Sequence, residues 1–253
     1  MPYNIKATSD TPMFIVYLID LSGSMALECG GKRRIDVVAS SLERIRRKMI
    51  ARSRVGDEVK SRYAVAMLGY SDNVVDLLNG IQTIDKLETM QLPTLNPGGS
   101  TNTGAAFEAA WHVLNQYLPN IQDCPAPLVC HLTDGGANVG SKPDQIATSI
   151  KQLGTSDGTV LVENIYIGER LLKYPIEDPK RWPGVLNPAD IQDPYVQALW
   201  HSASPLPDSY AAELNETEDY RIQPGSKMLI PAEAPEMIEL AFQMSGSTPR
   251  GRG

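Results

Sequence analysis

Residues 13–25, Met-Phe-Ile-Val-Tyr-Leu-Ile-Asp-Leu-Ser-Gly-Ser-Met, decide how the chain is read. Phe14 to Ile19 form an apolar run with no polar alternation, the pattern of a strand covered by helices on both faces in a parallel sheet. The run stops at Asp20 and passes into Leu21-Ser22-Gly23-Ser24, a loop of small hydroxyl residues. Ligands of open α/β sheets bind beyond the carboxyl ends of the strands. Asp20, Ser22 and Ser24 therefore stand where chemistry is placed.

Outward from this stretch, Ile35, Val38, Leu42, Ile45 and Met49 recur at intervals of three and four, which predicts a helix over about 34–52. Its other face carries Arg44, Arg46, Arg47, Lys48 and Arg52, read first as a solvated face and second as a docking surface for an acidic partner. Residues 62–70, RYAVAMLGY, predict a second buried strand, with a short antiparallel edge strand over 73–78. After a weaker helical segment at 84–90, the Gly-rich stretch 95–104 opens a helix through Phe107, Ala110, Trp111, Leu114 and Leu118, ended by Pro119. Residues 127–134, PLVCHLTD, repeat the design of the first strand and bring a second carboxylate, Asp134, to the same edge. A helix over 143–153 and a strand over 159–168 come next. This order is doubly wound α/β.

The texture changes at 171–207, where seven prolines and two tryptophans predict a long ordered loop with short helices at most. A helical turn at 209–214, a last strand at 227–230 and a closing helix at 234–244 precede a tail, 245–253, expected to fray. The 253 residues are read as a single domain with its core at about 13–168. A net charge of −7 argues against general nucleic-acid binding. Cys29, Cys124 and Cys130 have no CxxC spacing and are odd in number, so neither a disulfide framework nor a zinc site is indicated. With no export signal or bilayer-length apolar run, the expected location is cytoplasmic, without membrane attachment.

Three segments converge at one sheet edge on this reading: Asp20 to Ser24, Thr101 in its Gly-rich loop, and Asp134. Hydroxyl and carboxylate oxygens suit magnesium, manganese or calcium, and the set holds no thiolate or imidazole of the kind zinc favours. Neutral hydroxyls would leave such an ion electrophilic, with a position open to a carboxylate from another molecule. DLSGS, the Thr of GGSTNTG and the Asp of LTDGG resemble the metal-ion-dependent adhesion site of the von Willebrand factor type A (VWA) family across about 13–168. The resemblance implies Ser22, Ser24 and Thr101 as direct ligands, Asp20 and Asp134 as ligands directly or through water, and Thr103 as a weaker substitute for Thr101. It also implies a mostly parallel six-stranded sheet with one antiparallel edge strand, helices on both faces and an irregular C-terminal extension. The LPDSY segment, the last strand and the closing helix are similar to intracellular bacterial members linked with tellurium resistance, encoded beside a protein kinase and a PP2C-type phosphatase.

Other readings compete for the same residues. The Gly-rich loop before a helix suggests phosphate binding, but it lacks the GxxxxGK[ST] lysine and GxGxxG spacing. An aspartate ending a first buried strand is also the nucleophile position of haloacid-dehalogenase phosphatases, although Ser22 stands where these need a second aspartate. No GxSxG elbow surrounds Ser22 or Ser24, and His112, His131 and His201 are read as packed or surface residues. The sequence thus predicts a non-enzymatic protein that uses a divalent metal to engage an acidic residue of a partner. The expected context is a bacterial kinase–phosphatase stress or phage-defence system, the alternative a subunit of an AAA+ ATPase of the MoxR or chelatase type.

Overall fold

The computed structural model describes residues 3–135, 143–168, 171–193, 196–217, 219–232 and 235–246. Its centre is a mixed sheet built from β1 (Met13–Asp20), β2 (Tyr63–Tyr70), β3 (Val74–Asp76), β4 (Gln82–Thr83), β5 (Leu128–Thr133), β6 (Leu161–Tyr166) and β7 (Leu229–Pro231). The strand order is β7-β6-β5-β1-β2-β3, and β4 pairs with β2 off this path. All pairs are parallel except those of β3 and β4 with β2. The expected antiparallel edge strand is therefore present, joined by a two-residue strand that the sequence does not announce. Every residue of β1 and β2 is buried, as their unbroken apolar runs require.

Alternate residues of β1 serve two different cores. Met13, Ile15, Tyr17 and Ile19 pack with α1 (Arg34–Ser53) and α2 (Ile84–Thr89), while Phe14, Val16 and Leu18 pack with α3 (Thr103–Tyr117) and α4 (Pro143–Ile150). The stripe Ile35, Val38, Leu42, Ile45 and Met49 is the buried face of α1. Chain direction then fixes a cleft, because the helix that follows β1, α1, lies on one face of the sheet and the helix that follows β5, α4, lies on the other. Adjacent strands whose connections diverge leave a crevice at their carboxyl ends.

The basic face of α1 is only partly a solvated face. Arg46 donates to Leu87 O (2.8 Å) and Met90 O (2.7 Å) and pairs with Glu43, so it ties α1 to the end of α2. Residues 171–207 are largely irregular where described, with a single 3-10 turn at Pro188–Asp190, one short α-helix, α5 (Gln197–Ser202), and the indole of Trp182 buried. The helical turn expected at 209–214 is a ten-residue helix, α6 (Asp208–Thr217), which buries Tyr210, Ala211 and Leu214. The closing helix α7 is Pro235–Gly246; the expected frayed end beyond 246 lies outside the described residues. Three small hairpins, Glu28–Cys29 with Lys32–Arg33, Arg54–Val55 with Glu58–Val59, and Gly154–Thr155 with Gly158–Thr159, decorate the connections. Thr159 belongs to the last of these, so the strand expected from 159 begins at Leu161. No helix among the described residues is long and apolar enough to cross a membrane.

β6 carries one anomaly. Glu163 is fully buried, has no hydrogen-bonded partner of good geometry among the described residues, and lies beside the Cys130 thiol. Burial pushes its carboxyl up to about 8. The folded protein therefore holds a proton there that the unfolded chain releases near the ordinary glutamate value. The stability associated with this group is fully present below about pH 4.5 and is lost as pH rises towards 8. Glu163→Gln removes that loss: relative to wild type, chemical denaturation should show the variant gaining several kcal/mol between pH 5 and pH 8. A wild-type-minus-variant difference that is flat over this interval would contradict a buried, protonated Glu163.

Candidate metal site

Asp20 is the last residue of β1 and has no solvent exposure. Its Oδ1 accepts from the Ser22 backbone N–H (2.8 Å), an Asx turn that folds the loop back over the strand end. Its Oδ2 accepts from the Thr133 hydroxyl (2.8 Å), whose oxygen accepts in turn from Gly135 N–H (3.0 Å). Register makes this contact available: Ile19 lies opposite Leu132, so the next pair along the strands is Asp20 and Thr133. Burial pushes the Asp20 carboxyl above the usual carboxylate range; the bonds from Ser22 and Thr133 oppose the rise and the Asp134 charge adds to it.

The loop beyond Asp20 is short and pinned. Ser22 is buried, and its hydroxyl lies 3.1 Å from that of Ser24. Gly98 N–H donates to Leu21 O (2.7 Å) and Gly23 N–H donates to Gly99 O (3.1 Å), so the Gly-rich loop is stitched to the Ser22–Ser24 loop. Gly99 has a φ of +79°, and a Cβ there would collide with the Asp72 carboxylate, which holds Ser100 through its backbone and its hydroxyl. Two residues on, Thr101 is buried. The Thr103 hydroxyl lies beside that of Tyr70, which also neighbours Asp20. Asn102 caps α3 by accepting from Ala105 N–H (3.1 Å).

Asp134 comes directly after β5, and its Oδ2 accepts from Arg34 Nη1 (2.7 Å) at the start of α1. The structure thus brings Asp20, Ser22, Ser24, Asp134 and the Thr101 loop to the cleft between β1 and β5. Arg34 is not anticipated by the sequence motifs; an arginine at the first position of a helix, where the backbone dipole disfavours a cation, is the signal that could have marked it.

The donor set fits a hard divalent cation. Two oxygens in adjacent octahedral positions about 2.1 Å from a magnesium ion lie about 3.0 Å apart, close to the spacing of the Ser22 and Ser24 hydroxyls. A cation against Asp20 would also offset the burial that disfavours its ionised form. Among the described residues no group of three or more His, Cys, Asp or Glu side chains is placed to hold a metal, so any site here relies on hydroxyls. A cavity of about 750 Å³ lined by Tyr3, Lys151, Leu161 and Leu206 opens at the opposite end of the sheet and takes no part in this arrangement.

Beneath the site runs a buried polar chain. The Tyr70 hydroxyl lies beside Asp20 and 2.6 Å from His131 Nε2, and His131 Nδ1 is 2.8 Å from Asn164 Oδ1. The Asn164 amide donates to Leu199 O (2.8 Å) and Ser202 Oγ (3.0 Å), which leaves its oxygen to accept from the histidine. His131 therefore carries its proton on Nδ1 and accepts from Tyr70 at Nε2. Burial lowers its pKa to about 4, so the ring is neutral and structural, as its reading as a packed residue requires.

No known sequence family matches the chain, and no curated protein is detectably similar in sequence. The fold is nonetheless shared with solved structures. The VWA domain of SpRpn10 is 14% identical over 93% of this chain and 95% of that one, with a TM-score of 0.51. The pilus adhesin SpaC of Lactobacillus rhamnosus GG is 13% identical over 92% of this chain, with a TM-score of 0.57, and the PilB minor pilin of Streptococcus sanguinis 12% over 92%, with a TM-score of 0.54. The chain spans 30% of SpaC and 60% of PilB. These likenesses establish a VWA-like α/β fold.

Thr133→Val keeps the shape of the side chain but leaves Asp20 Oδ2 without its donor. Equilibrium unfolding should show a loss of about 1–3 kcal/mol; a cost below about 0.5 kcal/mol would mean that the carboxylate does not depend on this bond.

Proposed function

We infer that the chain is a divalent-metal-dependent protein-interaction module. The observation that carries this reading is the pair of hydroxyls, Ser22 and Ser24, set 3.1 Å apart over an aspartate whose two oxygens are engaged by the Ser22 backbone and by Thr133 at the end of β5. Ser22, Ser24 and Thr101 would hold magnesium, manganese or calcium directly, with Asp20 and Asp134 acting directly or through water. Bound there, the ion supplies a Lewis-acidic position for an acidic side chain of another protein. The role of the chain is to fix the hydroxyls: the Asx turn at Asp20 orients Ser22, the Leu21–Gly98 and Gly23–Gly99 bonds hold the two loops in register, and Thr133 keeps Asp20 pointing at the cleft. Among the described residues of this cleft no nucleophile is paired with a histidine base, since the histidine nearest the cleft is buried, neutral and committed at both nitrogens.

At a finer level, we place the protein as a partner of a kinase and a PP2C-type phosphatase in a bacterial stress or phage-defence system. The support for this is the resemblance of its C-terminal region, where the LPDSY segment enters α6 and the last strand β7 and helix α7 close the domain. A kinase and a phosphatase among the neighbouring genes would support that role, and a P-loop ATPase in their place would overturn it.

Ser24 is partly exposed and its substitution disturbs neither the Asp20 bonds nor the core. Calorimetric titration of the metal-free protein with magnesium and with manganese should show binding that Ser24→Ala weakens at least tenfold, while the melting temperature without metal stays within a few degrees of wild type. Equal affinity in wild type and variant would rule out Ser24 as a ligand. In pull-downs, partner capture should be lost on adding a chelator.

A further inference from the structure

We propose that Arg34 is a built-in counter-cation that lowers the metal affinity of the site and makes its occupancy depend on an incoming carboxylate. The proposal rests on the metal-binding role inferred for the Ser22–Ser24 loop. Arg34 opens α1, where the exposed N–H groups of the first turn carry partial positive charge and disfavour a cation. Its neighbour Arg33 is held in an ordinary surface pair with Asp36, both side chains about half exposed. Arg34 instead reaches across the cleft to Asp134, 100 positions away in the chain, with side-chain exposures of 15% for the arginine and 4% for the aspartate. A pair so shielded from water is little screened by salt.

Two features show that this placement serves the site and not simply the helix. The guanidinium Nε is buried with no hydrogen-bond partner among the described residues, so the side chain is not satisfied by its packing alone. The residues that deliver it are also constrained: Arg34 N–H donates to Leu27 O (3.0 Å), and the hairpin Glu28–Cys29 with Lys32–Arg33 carries the chain from the hydroxyl loop to the start of α1. The same short segment therefore presents both the Ser22–Ser24 hydroxyls and the cation that competes for Asp134.

The charge balance of the cleft produces the coupling. Asp20, Asp134 and Arg34 together leave one negative charge, so a divalent ion at the hydroxyls leaves the cleft with one uncompensated positive charge. A carboxylate from outside supplies the missing negative charge. Without Arg34 the two aspartates alone would neutralise the ion, and the site would fill with no partner present. Arg34 thereby couples metal to partner, each binding better with the other in place.

The test is manganese titration by calorimetry of wild type, Arg34→Met, Arg34→Gln and Arg34→Lys, with thermal melts to confirm folding. Both neutral variants should bind manganese at least tenfold more tightly than wild type, and Arg34→Lys should stay within about threefold of it. Adding acetate should narrow the gap between wild type and the neutral variants. Wild-type manganese binding that the neutral variants match or weaken, or a gap that acetate leaves unchanged, would overturn the proposal while the metal reading stands. Absence of manganese binding in wild type and in both neutral variants, all melting cooperatively, would overturn both. Should Arg34→Met fail to fold, Arg34→Gln, which retains a donor to Asp134, carries the same comparison.

Discussion

A carboxylate with no solvent exposure has to find its hydrogen bonds within the protein, and Asp20 finds them in two segments far apart in sequence. Its Oδ1 is held by the backbone of Ser22 and its Oδ2 by the hydroxyl of Thr133, 113 residues away. Meeting this one requirement fixes the direction of the hydroxyl loop and locks the end of β1 to the end of β5. The Gly-rich loop is then drawn in by backbone bonds to Leu21 and Gly23. What a metal would need at this edge, several oxygens held at short spacing before the ion arrives, is a by-product of burying that aspartate in a polar setting.

The layer beneath explains how such an edge sits on an apolar sheet. Tyr70, His131 and Asn164 come from β2, β5 and β6 and join end to end, finishing on α5. Phe107 packs edge-on against the imidazole, with centroids 5.2 Å apart, so the chain is sealed from the helix side as well. Because every donor in it meets an acceptor, the network adds rigidity without an orphaned polar group. Glu163, on the opposite face of the sheet, is the contrast: it is equally buried, and its carboxyl finds no comparable set of bonds.

The long elements were legible in the sequence because each states its burial in one dimension. The apolar runs of β1 and β2 and the stripe from Ile35 to Met49 have periods that only one geometry satisfies. Asp20, Ser22 and Ser24 were legible for the same reason, as an abrupt polar stop after such a run. The two-residue hairpins were not, since pairs such as Gly154–Thr155 and Gly158–Thr159 are too short to set a period. Helix α6 was underestimated because Tyr210, Ala211 and Leu214 become a helical face only once the core they join exists. The Arg34–Asp134 pair and the Tyr70–His131–Asn164 chain are long-range contacts with no local period; their trace in the sequence is a polar residue where the local pattern calls for another kind.

The claim that the three loops form one divalent-cation site is tested most directly by anomalous diffraction from crystals of the full chain grown with manganese. A single strong anomalous peak is expected in the β1–β5 cleft, within bonding distance of the Ser22 and Ser24 hydroxyls and beside Thr101. An empty cleft at saturating manganese, or a peak held by carboxylates elsewhere on the surface, would contradict it.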